Sequence, residues 1–334
     1  MTNAGGGAPT SPKKSSSRRK PRAKPARAPA RTLTPHVALK HIEVVINPAS
    51  GGVAPGAADE CRALCEAFKG VRWNIVEADP SRIDQALEEA VAAKPDLVVV
   101  LAGDGTARGA ATLAGPKGPL VAPLPGGTMN MLPKALYGTA DWKAALTLLL
   151  TEGVERPVAG GQLDDMTFFC AAIVGAPALW APAREAVRSG APRLAWMYAK
   201  RAMKRAFAGR IHFRLDGGDT CKGEALALIT PLISRALETP VGLESAVMNF
   251  HSANEVFRLA ATALFSDWRT DPSVLTEVVK RAEVWAAHEM PAILDGESVH
   301  LGRRATVKFL PCAFRTLAPR VANPAISLAP EAQS

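Results

Sequence analysis

Apolar positions between residues 41 and 153 follow two alternating rhythms. Short runs rich in Val, Ile and Leu ("HIEVVIN" from 41, "VRWNIVEA" from 71, "DLVVVLA" from 96, "GPLVAPLP" from 118) have the length and β-branched content of strands. Longer stretches with helical spacing separate or follow them: 57–70, 81–94, the residues after Asp104, 128–138 and 140–153. Gly70 marks the end of the first helix and Ser81 the N-cap of the second. This alternation predicts βαβ units and a parallel sheet covered on both faces. Ligands of such sheets sit beyond the carboxyl ends of the strands.

The rhythm changes near Gly153. "ERPVAGGQLDDMTFFCAAIVG" (155–175) reads as two antiparallel strands around an Asp164–Asp165 turn. "GRIHFRLDGGDTCKGEALALIT" (209–230) turns at Gly217–Gly218, and "RRATVKFLPCAF" (303–314) closes the pattern. Helices are expected at about 182–208 and 252–265. The fold class is therefore α/β, with a β-rich second domain. The expected divisions are a tail over 1–36, an α/β domain over 37–152, a β-rich domain over 153–318 and a second tail over 319–334. The final strand is a candidate to return to the first domain.

A chain of 334 residues is long enough for two domains. No apolar run reaches the roughly 18–20 residues that span a bilayer, and the N-terminus lacks the apolar stretch of a secretory signal. Five cysteines without a C-x-x-C pair argue against a disulfide framework or a structural zinc site. Cys61 and Cys65 share a helix face and read as small buried apolar residues. The expectation is a reducing, cytoplasmic setting.

Charge is uneven. Nine of the 40 basic residues, and no acid, lie in residues 1–31, leaving the rest formally neutral. That segment has almost no large apolar side chain, so burial cannot offset the entropy of ordering it, and disorder is expected. Its composition suits anionic lipid headgroups, nucleic acid or simple solubility.

The chemistry concentrates in three strand-to-helix loops. After the third strand come Gly103, Asp104, Gly105 and Thr106. Glycines admit a ligand close to the backbone, and the following helix N-terminus offers N–H groups and partial positive charge to a phosphate. Asp104 is the odd member, because a carboxylate repels phosphate unless a divalent cation lies between them. As a plain N-cap it needs no ligand. "INPASGG" after the first strand and "PLPGGTMN" after the fourth bring two more small-residue loops to the same sheet edge.

These residues resemble the diacylglycerol kinase catalytic-domain family, which includes bacterial lipid kinases and sphingosine kinases. The family's N-P-x-S-G, G-G-D-G-T and P-L-G-T-x-N motifs correspond to Asn47-Pro48-Ala49-Ser50-Gly51, Ala102-Gly103-Asp104-Gly105-Thr106 and Pro125-Gly126-Gly127-Thr128-Met129-Asn130. Its D-G-E signature corresponds to Asp295-Gly296-Glu297, although D-G is also a strong hairpin-turn signal. The resemblance spans residues 41 to about 318. It implies a nucleotide-binding α/β domain followed by a β-sandwich, with the active site in the cleft between them. It also implies ATP and Mg²⁺ as cofactors and a lipid hydroxyl at a membrane surface as phosphate acceptor, without favouring nucleic acid. On this basis Asn47, Ser50, Gly51, Gly103, Asp104, Gly105, Thr106, Gly127, Thr128 and Asn130 are nucleotide-binding candidates. Asp104, joined by Asp295, is the Mg²⁺ candidate. Glu297 is the proton acceptor, with Asp295 assisting and Asp104 completing the catalytic set.

The pattern has departures. Ala102 replaces the first glycine, Gly126 the leucine, and Met129 a position that is often glycine. Glu77 stands at the end of the second strand, where the family often has threonine. The second-domain acids that serve a structural metal in some members are missing. Two other readings stay open: an NAD-kinase-like enzyme with a soluble acceptor, and a non-catalytic nucleotide- or lipid-binding protein. Residues 193–208 place Arg193, Lys200, Arg201, Lys204 and Arg205 opposite an aromatic and alanine face, with "PALW" just before them. Such a helix either packs on a sheet or, like the basic segment 13–31, meets anionic lipid at a peripheral membrane site.

Overall fold

The computed structural model describes residues 35–175, 210–234, 241–248 and 274–319. The expectations for the basic segment 13–31, for 177–180 and for helices at 182–208 and 252–265 lie outside these residues.

Strands β1 (His41–Ile46), β2 (Arg72–Glu77), β3 (Leu97–Ala102) and β4 (Leu120–Pro125) form a parallel sheet in the order β2-β1-β3-β4. β3 and β4 are buried along their whole length, so both faces are covered there. β2, at one edge, is mostly exposed. Pro123 and Pro125 lie in β4 at the other edge, where the absent N–H removes no ladder bond. Helices α1 (Ala57–Cys65), α2 (Ile83–Ala92), α3 (Asp104–Ala114), α4 (Met131–Tyr137) and α5 (Trp142–Glu152) contribute their alanine and leucine faces to the core of this sheet.

Three helix boundaries differ from the sequence reading. α1 stops at Cys65 because the N–H groups of Ala67 and Phe68 turn back to the carbonyls of Leu64 and Cys65, and Phe68 drops into the core. Ser81 is not an N-cap: Asp79 accepts both its N–H and its hydroxyl, capping a 3₁₀ turn over Pro80–Arg82 before α2 begins. Residues 128–130 are loop, and α4 starts only after Asn130 in a left-handed conformation.

From Val154 the chain builds two six-stranded sheets. One runs β6-β5-β16-β13-β8-β9 and the other β12-β11-β10-β7-β14-β15. Their strands are β5 (Val154–Leu163), β6 (Met166–Phe168), β7 (Ala171–Gly175), β8 (Ile211–Leu215), β9 (Thr220–Gly223), β10 (Ala225–Ile229), β11 (Leu243–Met248), β12 (Val274–Val279), β13 (Arg281–Trp285), β14 (Met290–Leu294), β15 (Glu297–Leu301) and β16 (Arg304–Ala318). All their pairings are antiparallel. Phe168, Phe213, Val284 and Val307 of the first sheet share a core with Val174, Leu226, Leu228 and Leu294 of the second, which makes a sandwich.

Residues 155–175 hold three strands where the sequence suggested two. β6 pairs with β5, but β7 crosses to the other sheet, and the chain changes sheets at Phe169 and Cys170. β16 also changes partners along its length. Its register against β5 shifts between Leu310 and Phe314. Val307 belongs to the sandwich core, whereas Phe314, Leu317 and Ala318 belong to the α/β core. The Phe314 ring meets Phe169 edge-on, with centroids 4.9 Å apart.

Candidate active site

The three small-residue loops converge and are tied to one another by their own side chains. The Ser50 hydroxyl accepts the Gly103 N–H at 3.1 Å. Asn47 donates from Nδ2 to Thr106 Oγ1 at 3.4 Å, while its Oδ1 accepts the Ala49 N–H. The Gly52 N–H reaches the Gly126 carbonyl at 2.9 Å, and the Gly126 N–H reaches the Ala102 carbonyl at 3.0 Å. Thr128 Oγ1 lies beside Gly51. Asn130 exchanges two bonds with the Gly127 backbone, at 2.7 and 2.9 Å, and its φ of 52° is one that asparagine tolerates.

The approach of these loops explains their glycines. A Cβ on Gly127 would lie 2.7 Å from Gly103 Cα, and one on Gly52 would lie 2.7 Å from the Gly127 carbonyl oxygen. Ala102 is accommodated because it ends β3, with its methyl buried, and Gly126 packs against its backbone. Glu77 is exposed at the end of the edge strand β2.

Asp104 opens α3, and its Oδ1 accepts the Leu132 N–H of α4 at 3.2 Å. The acid between glycines therefore stitches the third loop to the helix after the fourth. Gly103, at the N-cap of α3, has no side chain with which to cap the helix.

The hairpin joining β14 to β15 brings in the remaining acids. Asp295 and Gly296 have φ of 48° and 90°, the positive pair that a tight two-residue hairpin requires. The Asp295 carboxylate accepts three backbone N–H groups: Phe169 on Oδ2 at 2.8 Å, and Cys170 and Ala171 on Oδ1 at 2.8 and 3.0 Å. These are the N–H groups that lose sheet partners where the chain crosses between sheets. Asp295 is thus both a turn residue and the clamp on that crossing. With 8% of its surface exposed and both oxygens engaged, it is poorly placed to hold a cation. Replacing it by asparagine turns an amide NH₂ toward a backbone donor. An expected loss of about 1–3 kcal/mol of stability should appear in urea denaturation.

Glu297, two residues on, faces α3. A Cβ on Gly105 would lie 2.1 Å from Glu297 Oε1, so the carboxylate rests on the glycine's bare Cα. Its Oε2 pairs with Arg108 Nη2, and Arg108 Nη1 donates to the Leu294 carbonyl at 3.1 Å. Met129 Sδ lies near Gly296, closing the ring from the fourth loop. The structure therefore brings together every site residue expected from sequence and adds Arg108. Its signal was legible as the only cation in the small-residue helix, four positions after Asp104 and on the same face.

Burial pushes the Asp104 carboxyl above the usual carboxylate range. The Leu132, Met131 and Asn130 N–H groups and the Lys134 charge act against that rise. Burial also raises Asp295, against its three N–H donors and the Arg108 charge. The buried Cys170 thiol is raised by desolvation first and then by the charges of Asp295 and Asp104, which places both acids around one thiol. A carboxyl with a raised folded pKa binds its proton more tightly folded than unfolded. The stability it contributes is present below the unfolded value, about 4, and is lost as pH rises through the folded value. Urea midpoints taken between about pH 4 and pH 7 should show this decline in the parent chain and a shallower one in Asp104→Asn.

Among the described residues, no group of three or more His, Cys, Asp and Glu side chains is gathered as a metal cage. A divalent cation that took most of its ligands from a phosphorylated compound and water would need only one carboxylate here, and Asp104, less fully engaged than Asp295, could supply it. No described helix is long and apolar enough to cross a membrane.

Residues 41–163 match the family model described as the diacylglycerol kinase catalytic domain. No curated protein matches the chain. A crystal structure from Bacillus anthracis str. Sterne, described as a candidate diacylglycerol kinase, shares 16% identity over 85% of this chain and 99% of its own, with a TM-score of 0.63. A second from the same strain, described as a diacylglycerol kinase, shares 14% identity over 85% and 98%, with a TM-score of 0.61. The fold, a parallel α/β sheet followed by antiparallel sheets, is shared with these proteins.

Proposed function

We propose, starting from the diacylglycerol kinase catalytic-domain match over residues 41–163, that the chain transfers the terminal phosphate of ATP to a hydroxyl of diacylglycerol or a related lipid. The observation that carries this reading is the seating of the Glu297 carboxylate on Gly105, at the N-terminus of α3, inside the ring of three glycine loops. Phosphoryl transfer asks mainly for positioning and charge stabilisation. The loop backbones and the α3 N-terminus hold the nucleotide phosphates. Mg²⁺, held with Asp104, neutralises phosphate charge when bound.

Glu297 takes the proton of the acceptor hydroxyl as its oxygen bonds to the terminal phosphorus, and the bond to the ADP oxygen breaks. Asp295 assists by fixing the hairpin that carries Glu297. Asn47, Ser50 and Asn130 act through the loops they tie. On this reading the chain works at a membrane surface as a peripheral, cytoplasmic enzyme, to which segments 13–31 and 193–208 lend basic charge for anionic lipid.

Labelled ATP with mixed lipid micelles and Mg²⁺ tests the proposal. Label in an organic-extractable product is the expected result. Label on a water-soluble nucleotide would instead assign an NAD-kinase-like acceptor, and no transfer under varied lipids and metals would leave a binding protein.

A further inference from the structure

The Glu297 carboxylate lies inside the ring of three glycine loops. It presses on Gly105 in the first turn of α3, whose N-cap, Gly103, carries no capping side chain. A helix N-terminus favours an anion, and here the chain supplies one of its own. The partner of that anion is Arg108, whose side chain is about one-fifth exposed while that of Glu297 is half exposed. Arg108 is also anchored, through the bond from Nη1 to the Leu294 carbonyl, so its guanidinium stays in place if Glu297 leaves.

We infer that Arg108 is a ligand for the terminal phosphate of the nucleotide, held in reserve by Glu297. The inference rests on the kinase reading above. A phosphate arriving at α3 and Glu297 cannot share the same donors, since two anions would then be in contact. The phosphate displaces Glu297 and takes over the planar N–H face of Arg108, for which phosphate and carboxylate are equivalent partners. Glu297, released from Arg108, is free to turn toward the acceptor hydroxyl. Nucleotide binding therefore frees the base.

The test is calorimetric binding of a β,γ-methylene ATP analogue and of ADP to the full chain, with Mg²⁺ and without lipid. Glu297→Gln removes the resident anion and should tighten the analogue about two- to fivefold. Adding Arg108→Ala in that background should weaken the analogue about ten- to hundredfold and leave ADP nearly unchanged. Arg108→Lys keeps a cation and should recover part of the loss, which a simple folding defect would not. The inference is overturned if Arg108→Ala leaves the analogue's affinity unchanged in the Glu297→Gln background, or if it weakens ADP equally. A parent chain that binds neither nucleotide sinks the kinase reading and this inference together. A parent chain that binds both normally, with an indifferent Arg108, sinks only the inference.

Discussion

Glu297→Gln is expected to lower turnover of labelled ATP into lipid product by about 10²- to 10⁴-fold, the contribution usual for a positioned proton acceptor. The substitution preserves shape and adds no volume against Gly105. It should leave the thermal melt close to that of the parent, because the Glu297 side chain is half exposed and exposed ion pairs contribute little stability. Lost turnover with an intact fold and retained nucleotide binding is the combination that separates a base from a structural residue. If turnover survives within a few-fold of the parent, another group takes the proton and the assignment of Glu297 is wrong.

Gly127→Ala should damage the protein differently. The new methyl would meet Gly103 Cα at 2.7 Å and the Asn130 carboxamide oxygen at 3.3 Å, and the first of these is backbone that cannot swing away. The third and fourth loops must spread apart. Overpacking of this kind costs about 1–3 kcal/mol, and the spreading also breaks the Gly127–Asn130 pair. Nucleotide affinity should fall at least tenfold, by calorimetry, alongside a lower urea midpoint (about 1.4 kcal/mol corresponds to tenfold). Gly105→Ala offers the contrast. Its methyl collides with the flexible end of Glu297, which can swing away, so the urea midpoint should stay close to that of the parent.

The parallel sheet was legible because each of its strands is a short apolar run ending at a glycine-rich loop. The Asp295–Gly296 hairpin was legible because few dipeptides suit two successive positive φ angles. The departure of β7 to the other sheet was not. Nothing between Phe168 and Ala171 breaks the apolar run, and the crossing is paid for by a carboxylate more than a hundred residues later. The loops were found by their residue types, but their mutual bonding was hidden. Asn47, Ser50 and Asn130 read as ligand contacts, yet in the free chain they bond to loop backbones and to Thr106. Asp104 follows the same rule: the carboxylate between two glycines is engaged by an α4 N–H. Arg108 stands out as the one cation of α3, but its pairing is invisible in the sequence because Glu297 lies 189 positions away in the chain.

The double allegiance of β16 bears on how the protein is made. Phe314, Leu317 and Ala318 fill the α/β core, yet they are translated long after the helices and strands that surround them. The α/β half, although made before the sandwich, must wait with an open seam until this late segment emerges to seal it.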